Sequence, residues 1–247
     1  NWESTPRVRM ALLRFGQKPS LGGIVKEDFP VPNTRYKKTY LGSKEQLTFE
    51  PPTDCRALTY DATSPTEFLK FVHTFEETTQ IMGIPKAVLY MSCQEHDDMD
   101  VFVILRKLSS TGEPMLCLNV PWKGLPVKSF DDIPEKLRTE VILYKGPTGI
   151  LRASHRAINH DKSMHPNWPF HPHDREERIP PGQIVKLEIG IWATGIHFEA
   201  GESIQFEVAG HFRGVSNFGK QEHVKNKGQH IVHIGGECNS HVIIPFC

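Results

Sequence analysis

The sequence predicts an all-β protein, a β-sandwich of the jelly-roll kind with one or two short helices. Three observations support this: many short apolar segments separated by Gly and Pro, no repeating βα unit, and strict apolar–polar alternation in residues 184–192. Alternation with a period of two is typical of a strand with one buried face. Many such strands with few helices favour two packed antiparallel sheets.

Length and composition are those of an ordinary globular protein. The 247 residues fit one large β domain. Lys plus Arg and Asp plus Glu both total 29, so no net charge attracts nucleic acid or an anionic membrane. No apolar run reaches the roughly 18 residues of a membrane-spanning helix. We therefore expect a soluble protein that has neither nucleic acid nor a membrane as its partner.

The cysteines favour a reducing compartment. The five thiols are odd in number, widely spread and without a CxxC pair: Cys55, Cys93, Cys117, Cys238 and Cys247. Such spacing is not that of a secreted disulfide scaffold, so we expect reduced thiols and a cytoplasmic location. The first residues show no initiator Met, basic segment or apolar segment. We expect that processing or truncation has removed a preceding part.

Strands and turns alternate through the first half of the chain. Strands are predicted at residues 8–15, 36–41, 47–49, 87–92 and 101–108. We expect the last two to pair antiparallel across the acidic turn 95–100, because no other break separates them. A short helix capped by Ser129 is predicted over residues 131–139.

The second half of the chain contains the clearest strand pattern. In residues 184–192 the apolar side chains of Val185, Leu187 and Ile189 alternate with polar or small residues. This predicts a half-buried antiparallel strand. Further strands are predicted at residues 203–209, 230–234 and 241–246.

The motifs of a self-sufficient hydrolase or nucleotide enzyme are absent. A nucleophile elbow would read Gly-x-Ser-x-Gly between a strand and a helix. Ser203 and Ser216 follow Gly at the right distance, but each lacks the second Gly and a helical pattern after it. We interpret Ser203 as the start of a strand and Ser216 as a loop residue. No GxGxxG or GxxxxGK[ST] occurs, so we predict no catalytic residue and no cofactor in this chain.

Thirteen histidines raise the question of a metal. The densest cluster contains His155, His160, His165, His171 and His173. Zinc sites need HExxH or paired Cys and His spacings, which this chain lacks, so we interpret these residues as loop or hydrogen-bonded histidines at the sandwich edge. Asp97, Asp98 and Asp100 could bind Ca²⁺ through their oxygens, but a solvated turn is the favoured interpretation. No metal is predicted.

A proline-rich segment carries two large aromatic residues outside any strand. In residues 166–173 (PNWPFHPH) the prolines exclude a central strand. Trp168 and Phe170 must therefore be covered, either by this domain or by a partner. Large aromatic residues elsewhere could line a ligand-binding face, but the core is the favoured place for them: Trp122, Trp192 and Phe198.

An ordered series of motifs resembles a known family. The series comprises residues 83–85 (GIP), 100–105 (DVFVIL), 149–156 (GILRASHR), 168–174 (WPFHPHD), 181–185 (PGQIV), 191–195 (IWATG), 198–202 (FEAGE) and a closing segment with Asn226, Gly228, His230, His233, Gly235, Gly236 and 240–245. It resembles the carboxy-terminal domain of the X-Pro dipeptidyl-peptidase and cocaine-esterase (CocE/NonD) serine hydrolases. The resemblance covers nearly the whole chain and is most specific over residues 83–245. Residues 117–137 are longer than the minimal family domain and suggest a subgroup insertion.

The resemblance implies a particular place in a larger enzyme. It implies a galactose-binding-domain-like jelly roll over residues 51–247. Residues 1–50 would be a strand and linker from a missing α/β-hydrolase domain, packed on the sandwich. That hydrolase domain, in the same polypeptide, would be the partner and would carry the Ser, His and Asp of the catalytic triad. This chain alone would then be inactive.

Two sets of residues are candidates for a functional surface. The candidates for docking or for a pocket wall lie in the aromatic loop: Trp168, Phe170, His171 and His173. The candidates for a polar network that supports the loop, or that is simply satisfied within the sandwich, are Arg152, His155, Arg156 and Asp174. Under the accessory-domain hypothesis this surface closes one wall of the hydrolase's substrate pocket. The alternatives are a free-standing carbohydrate- or ligand-binding module and a metal enzyme built on the histidines.

Overall fold

The computed structural model describes residues 2–139, 142–215 and 224–247. Within these residues the chain forms four 3₁₀ helices of three residues and seventeen short strands. The helices are Trp2–Ser4, Trp122–Gly124, Glu135–Leu137 and Ala153–His155. The strands are β1 (Val8–Leu12), β2 (Leu21–Lys26), β3 (Arg35–Leu41), β4 (Leu47–Thr48), β5 (Arg56–Asp61), β6 (Leu69–Thr74), β7 (Thr79–Gly83), β8 (Lys86–Cys93), β9 (Asp100–Leu108), β10 (Cys117–Leu118), β11 (Leu143–Tyr144), β12 (Thr148–Arg152), β13 (Val185–Gly190), β14 (Thr194–Phe198), β15 (Ser203–Ala209), β16 (Gln229–Ile234) and β17 (His241–Phe246).

Two antiparallel sheets make up the sandwich. The smaller sheet has the order β12-β9-β15-β6. The larger, nine-stranded sheet follows the order β14-β7-β17-β8-β16-β5, with β13 beside β8, β3 beside β17, and β4 beside β3. Two further hairpin-like pairs, β1-β2 and β10-β11, lie outside these sheets. The prediction of an all-β sandwich is confirmed.

The core lies between the two sheets. The smaller sheet contributes inward side chains such as Val103 and Phe206, and the larger sheet contributes Leu89, Leu187 and Val232. The predicted alternation in β13 is confirmed, because its burial alternates residue by residue along the strand. Each inward side chain is removed from water, which is the main favourable contribution to folding.

The predicted pairing of residues 87–92 with 101–108 is wrong. The first segment is β8 in the larger sheet, and the second is β9 in the smaller sheet. Nearly every residue of both strands is buried, so their apolar pattern does not reveal their neighbours. The acidic segment between them crosses from one sheet to the other. Asp98 holds this crossing in place, because its carboxylate accepts hydrogen bonds from the backbone N–H groups of Met99 (2.9 Å) and Ser154 (2.8 Å).

The helix predicted over residues 131–139 is reduced to one 3₁₀ turn, Glu135–Leu137. Pro134 precedes that turn and explains the difference. Proline lacks a backbone N–H and disfavours the helical conformation in the residue before it, so a helix cannot run through this point. Ser129 accepts a hydrogen bond from the N–H of Asp132 (3.3 Å) and closes a turn instead of capping a helix.

The amino-terminal residues are joined to both sheets. Leu13 forms a bridge with Ile196 on β14, and β3 pairs along its length with β17. The ammonium group of the buried Lys107 donates hydrogen bonds to the carbonyl oxygens of Arg14 (2.9 Å) and His197 (2.7 Å). None of the helices in the described parts of the chain has the length and apolar character needed to cross a bilayer.

Candidate functional site

A groove of about 560 Å³ lies where the aromatic loop meets the ends of β12 and β13. Apolar, cationic and imidazole side chains line it, and we call five of the apolar ones the Trp168 patch: Ile150, Met164, Trp168, Phe170 and Trp192. Ile150 is 56% exposed and Trp192 is 65% exposed. Large exposed apolar residues grouped in this way make the patch a candidate interaction surface.

Two glycines create the space for this patch. A Cβ on Gly190 would lie 3.1 Å from the ring of Trp168, so the indole rests directly on the backbone of β13. A Cβ on Gly149 would lie 2.5 Å from the carbonyl oxygen of Gly190, so β12 and β13 approach closely at this end. Trp168 and Trp192 then contact each other with ring centroids 5.4 Å apart. The small residues thus place the two indoles side by side.

The loop that carries Trp168 and Phe170 is built by its own hydrogen bonds. The N–H of Phe170 donates to the hydroxyl of Ser163 (3.0 Å), and the Phe170 carbonyl accepts from the N–H of Asn159 (2.9 Å). The N–H of Trp168 donates to the carbonyl of His165 (2.9 Å). These bonds fix the backbone of the loop without a partner, so the patch is preorganised for binding.

Buried charge ties the same loop to the larger sheet. Lys86 donates to the carbonyl of Pro166 (2.9 Å) and to the carboxylate of Glu188 (2.6 Å). Burial alone would raise the pKa of Glu188, but the ammonium groups of Lys186 and Lys86 lower it to about 2. Glu188 therefore remains ionised at neutral pH and holds Lys86 under the loop.

The histidines of the loop have structural contacts. Both ring nitrogens of His171 face carbonyl oxygens, Nδ1 that of Ala157 and Nε2 that of Glu188, each at 3.1 Å. These contacts place the ring between the loop and β13. The ring of His173 contacts that of His155, with centroids 4.8 Å apart and the planes tilted by 46°. Burial, followed by the nearby His155 and His171, lowers the pKa of His173.

The predicted polar network divides into separate pairs. Arg152 makes a two-pronged contact with Asp100, which lies opposite it on β9, at 2.7 and 3.0 Å. Arg156 donates to the carbonyl oxygens of Ala153 (3.1 Å) and Glu177 (2.5 Å).

The remaining two members of that set lie at the surface of the same region. His155 lies 4.0 Å from the carboxylate of Glu176. Asp174 is exposed and lies 3.4 Å from its neighbour Arg175. The structure thus groups Arg152, His155 and Arg156 around the turn Ala153–His155 and places Asp174 with Arg175 instead.

Within the part of the chain that the structure describes, the acidic segment and the histidines do not converge on a metal position. Asp98 and Asp100 accept hydrogen bonds from backbone N–H groups and lie near Arg178 and Arg152 respectively. Across residues 2–139, 142–215 and 224–247, no three His, Cys, Asp or Glu side chains are grouped closely enough to hold a metal ion. Asp98 and Asp100 instead form ion pairs and hydrogen bonds within the fold.

Of the two serines considered as possible nucleophiles, Ser203 and Ser216, the structure describes only Ser203. Ser203 begins β15 and exchanges a hydrogen bond with the hydroxyl of Thr74 (2.9 Å), as expected for a strand-start residue. Its side chain is buried between strands and has no base beside it in that contact. Ser216 lies outside the residues that the structure describes.

Three patch residues were missed by the sequence analysis. Trp192 was assigned to the core with Trp122 and Phe198; the structure buries Phe198 completely and exposes Trp192. The alternating pattern of residues 184–192 places Trp192 on the same face as Lys186 and Glu188. The pattern itself therefore indicated that Trp192 is exposed. No pattern in the sequence marked Ile150 or Met164, whose exposure depends on how the loop folds over the sheet ends.

Gly190→Val should displace the indole of Trp168. The branched side chain would occupy the space that the ring now fills, and overpacking of this kind costs about 1–3 kcal/mol. Gly22→Val is the matched control, because Gly22 also lies in a strand but has open space around its Cβ position. Urea unfolding followed by tryptophan fluorescence measures both effects. Equal stability of the two variants would contradict the contact between Trp168 and the backbone of β13.

Comparison with known proteins defines the family. The family model described as the X-Pro dipeptidyl-peptidase C-terminal non-catalytic domain matches residues 1–243. No curated protein matches the chain significantly. Two facing antiparallel sheets define a β-sandwich domain, and the matched family model describes this domain as non-catalytic. More particularly, the chain belongs to the family of X-Pro dipeptidyl-peptidase C-terminal non-catalytic domains.

Solved structures share this fold over 86–100% of the chain. A CocE/NonD family hydrolase from Staphylococcus aureus is 28% identical with a TM-score of 0.83, and the match covers 100% of this chain and 42% of that one. An aminopeptidase from a marine sediment Thaumarchaeota archaeon is 15% identical, with a TM-score of 0.62 over 98% of this chain and 41% of that one. An α-amino acid ester hydrolase shows the same fold at 15% identity and a TM-score of 0.56, covering 86% of this chain and 36% of that one. The chain thus spans less than half the length of these proteins.

Proposed function

We propose that this accessory domain packs its Trp168 patch against an α/β-hydrolase domain of the same polypeptide and helps to shape that domain's substrate pocket. The catalytic Ser, His and Asp would then belong to the hydrolase domain. The single observation that carries this proposal is the preorganised apolar patch, with Ile150 and Trp192 more than half exposed. The S. aureus hydrolase supports a partner in the same chain, because this chain covers 42% of it.

The physical role of such packing would be to exclude water. An apolar wall at the mouth of an acyl or peptidyl pocket removes competing solvent and strengthens electrostatic interactions inside it. The groove beside Trp168 is large enough to take part in such a pocket, at about 560 Å³.

Residues 1–50 would lead from the hydrolase domain to the sandwich. The five free thiols support a cytoplasmic location.

Ile150→Asp in the polypeptide that contains the hydrolase domain should lower ester hydrolysis at least tenfold. A carboxylate placed in an apolar interface loses its hydration without gaining a partner, which weakens the packing by several kcal/mol. Ile184→Asp is the matched control, because Ile184 is 43% exposed and precedes β13, at the opposite end of that strand from Gly190 and the Trp168 patch. Hydrolysis of p-nitrophenyl esters by the two variants measures the effect.

Three experiments separate the hypotheses. The chain alone and the whole polypeptide are treated with a fluorophosphonate probe for reactive serines. Labelling of the whole polypeptide alone supports the accessory role, whereas labelling of the isolated chain contradicts it. Equal activity of the Ile150 and Ile184 variants would exclude the Trp168 patch as the packing face. Glycan binding by the isolated chain that is lost in Trp192→Ala would favour a free-standing binding module.

A further inference from the structure

Two of the five cysteines lie at the same end of the larger sheet. Cys55 immediately precedes β5, and Cys238 lies in the turn between β16 and β17. β5 and β16 pair antiparallel, with Arg56 opposite Ile234. The next position along each strand therefore brings Cys55 beside Gly235, three residues before Cys238 in the sequence.

The contacts of two glycines show that the Cys55 side chain lies over this turn. A Cβ on Gly235 would lie 3.1 Å from the backbone nitrogen of Cys55. A Cβ on Gly236 would lie 2.6 Å from the sulfur of Cys55. The turn itself is closed by a hydrogen bond from the N–H of Cys238 to the carbonyl of Gly235 (3.1 Å). Cys238 is thus folded back toward the strand end that carries Cys55.

The accessibility of this pair sets it apart from the buried thiols. Cys55 is exposed and Cys238 is partly exposed, whereas Cys93 and Cys117 are buried. Burial, followed by the charges of Cys55 and Glu237, raises the pKa of the Cys238 thiol. Thiol oxidation follows exposure and thiolate character. Cys55 is therefore the first of the two that a soluble oxidant reaches.

We propose that Cys55 and Cys238 form a reversible disulfide that joins the start of β5 to the turn before β17. A disulfide of the glutathione class is the oxidant. The Cys55 thiolate attacks one of its sulfurs, forms a mixed disulfide and releases one glutathione thiolate. The Cys238 thiolate then attacks the Cys55 sulfur, and the second glutathione leaves. Two protein thiols are oxidised to one disulfide, and one glutathione disulfide is reduced to two thiols.

This crosslink would restrain the unfolded chain strongly. It closes a loop that contains most of the protein, and disulfides over long loops remove the most conformational freedom from the unfolded state. β5 is a terminal strand of the larger sheet and is held by β16. Oxidation would therefore join the start of this edge strand covalently to the turn before β17.

The test is oxidation in glutathione buffers followed by alkylation, digestion and mass spectrometry. We expect one peptide pair joined through Cys55 and Cys238, with Cys93 and Cys117 alkylated. We also expect oxidation to raise the midpoint of thermal unfolding by about 10 °C. Cys55→Ser and Cys238→Ser should each abolish the crosslink and the shift. Cys247→Ser, which changes another exposed thiol, should retain both.

The proposal is overturned by any other pattern of oxidation. Stable glutathionylation of Cys55 without closure would show that Cys238 cannot reach it. A disulfide between Cys55 residues of two molecules, or between Cys55 and Cys247, would show the same. No crosslink at the most oxidising glutathione ratio would also overturn it. None of these outcomes depends on whether the Trp168 patch packs against a hydrolase domain.

Discussion

Lys107→Met lowers the free energy of unfolding by about 3–5 kcal/mol, because it leaves a buried carboxylate without its partner. Lys107 is 1% exposed, and its ammonium group lies 2.5 Å from the carboxylate of Glu202, which is also buried. The same ammonium group binds the carbonyl oxygens of Arg14 and His197. Removal of the charge therefore loses three polar contacts at once. Urea unfolding at neutral pH measures the loss.

Two further variants separate this effect from a general sensitivity to lysine replacement. Lys186→Met removes an ammonium group that lies equally close to a carboxylate, 2.6 Å from Glu188, but is 48% exposed. Exposed ion pairs contribute at most about 1 kcal/mol, so this control should remain nearly as stable as the parent. Adding Glu202→Gln to Lys107→Met should recover part of the loss, since the unpaired charge is then gone. A loss below about 1 kcal/mol for Lys107→Met would contradict the burial of this pair.

Stability should fall by about 2–3 kcal/mol between pH 7.5 and pH 4.5 on account of His230 alone. His230 is fully buried, and its Nδ1 lies 3.0 Å from the hydroxyl of Tyr60. Burial lowers its pKa from 6.5 to about 4; of the smaller contributions, the charge of Asp100 raises the pKa and that of His96 lowers it further.

The direction of this pH effect follows from proton uptake. Between pH 6.5 and about 4 the unfolded chain protonates His230 while the folded protein keeps it neutral. The unfolded state thus binds more protons, so stability is complete above pH 6.5 and is lost as the pH falls toward 4. Seven other histidines also have a lowered pKa and add to the loss: His73, His165, His173, His197, His211, His233 and His241.

His230→Gln isolates the contribution of this one ring. Glutamine cannot titrate but can still hydrogen-bond to Tyr60. The variant should lose about 2–3 kcal/mol less stability than the parent between the two pH values. His160→Gln, at an exposed position, should lose as much as the parent. An unchanged pH dependence in His230→Gln would show that His230 is not held neutral in the folded protein.

The fold could be predicted wherever local pattern and burial agree. β13 was recognisable because one face is buried and one is solvated, and β3, β15 and β17 had clear apolar or β-branched segments between turns. The pairing of β8 was not recognisable, because its partners β13, β16 and β17 lie far along the chain. The register between distant strands depends on how the whole core packs. A segment that is buried on both faces has no polar–apolar alternation from which its register could be predicted.

The surface could be predicted in part for a similar reason. Prolines around Trp168 and Phe170 excluded a strand and marked both aromatics as needing cover, and the structure brings both to one groove. Ile150 and Met164 join them through folding of the loop over the ends of β12 and β13. The division of the polar network depends on Glu176 and Glu177, which the sequence analysis did not single out. Their partners are determined by the path of an irregular segment.

The pairing of β3 with β17 also has a consequence during protein synthesis. Thr39 donates a hydrogen bond to the carbonyl of Val242, 203 residues later in the chain. At about 5–20 residues per second, a ribosome needs roughly 10–40 s to supply this partner. Throughout that interval β3 has an unpaired edge, which is a hazard for association between nascent chains. Lys37 and Lys38 lie within this strand. Their charges disfavour pairing of the unpaired edge with another chain until β17 has been synthesised.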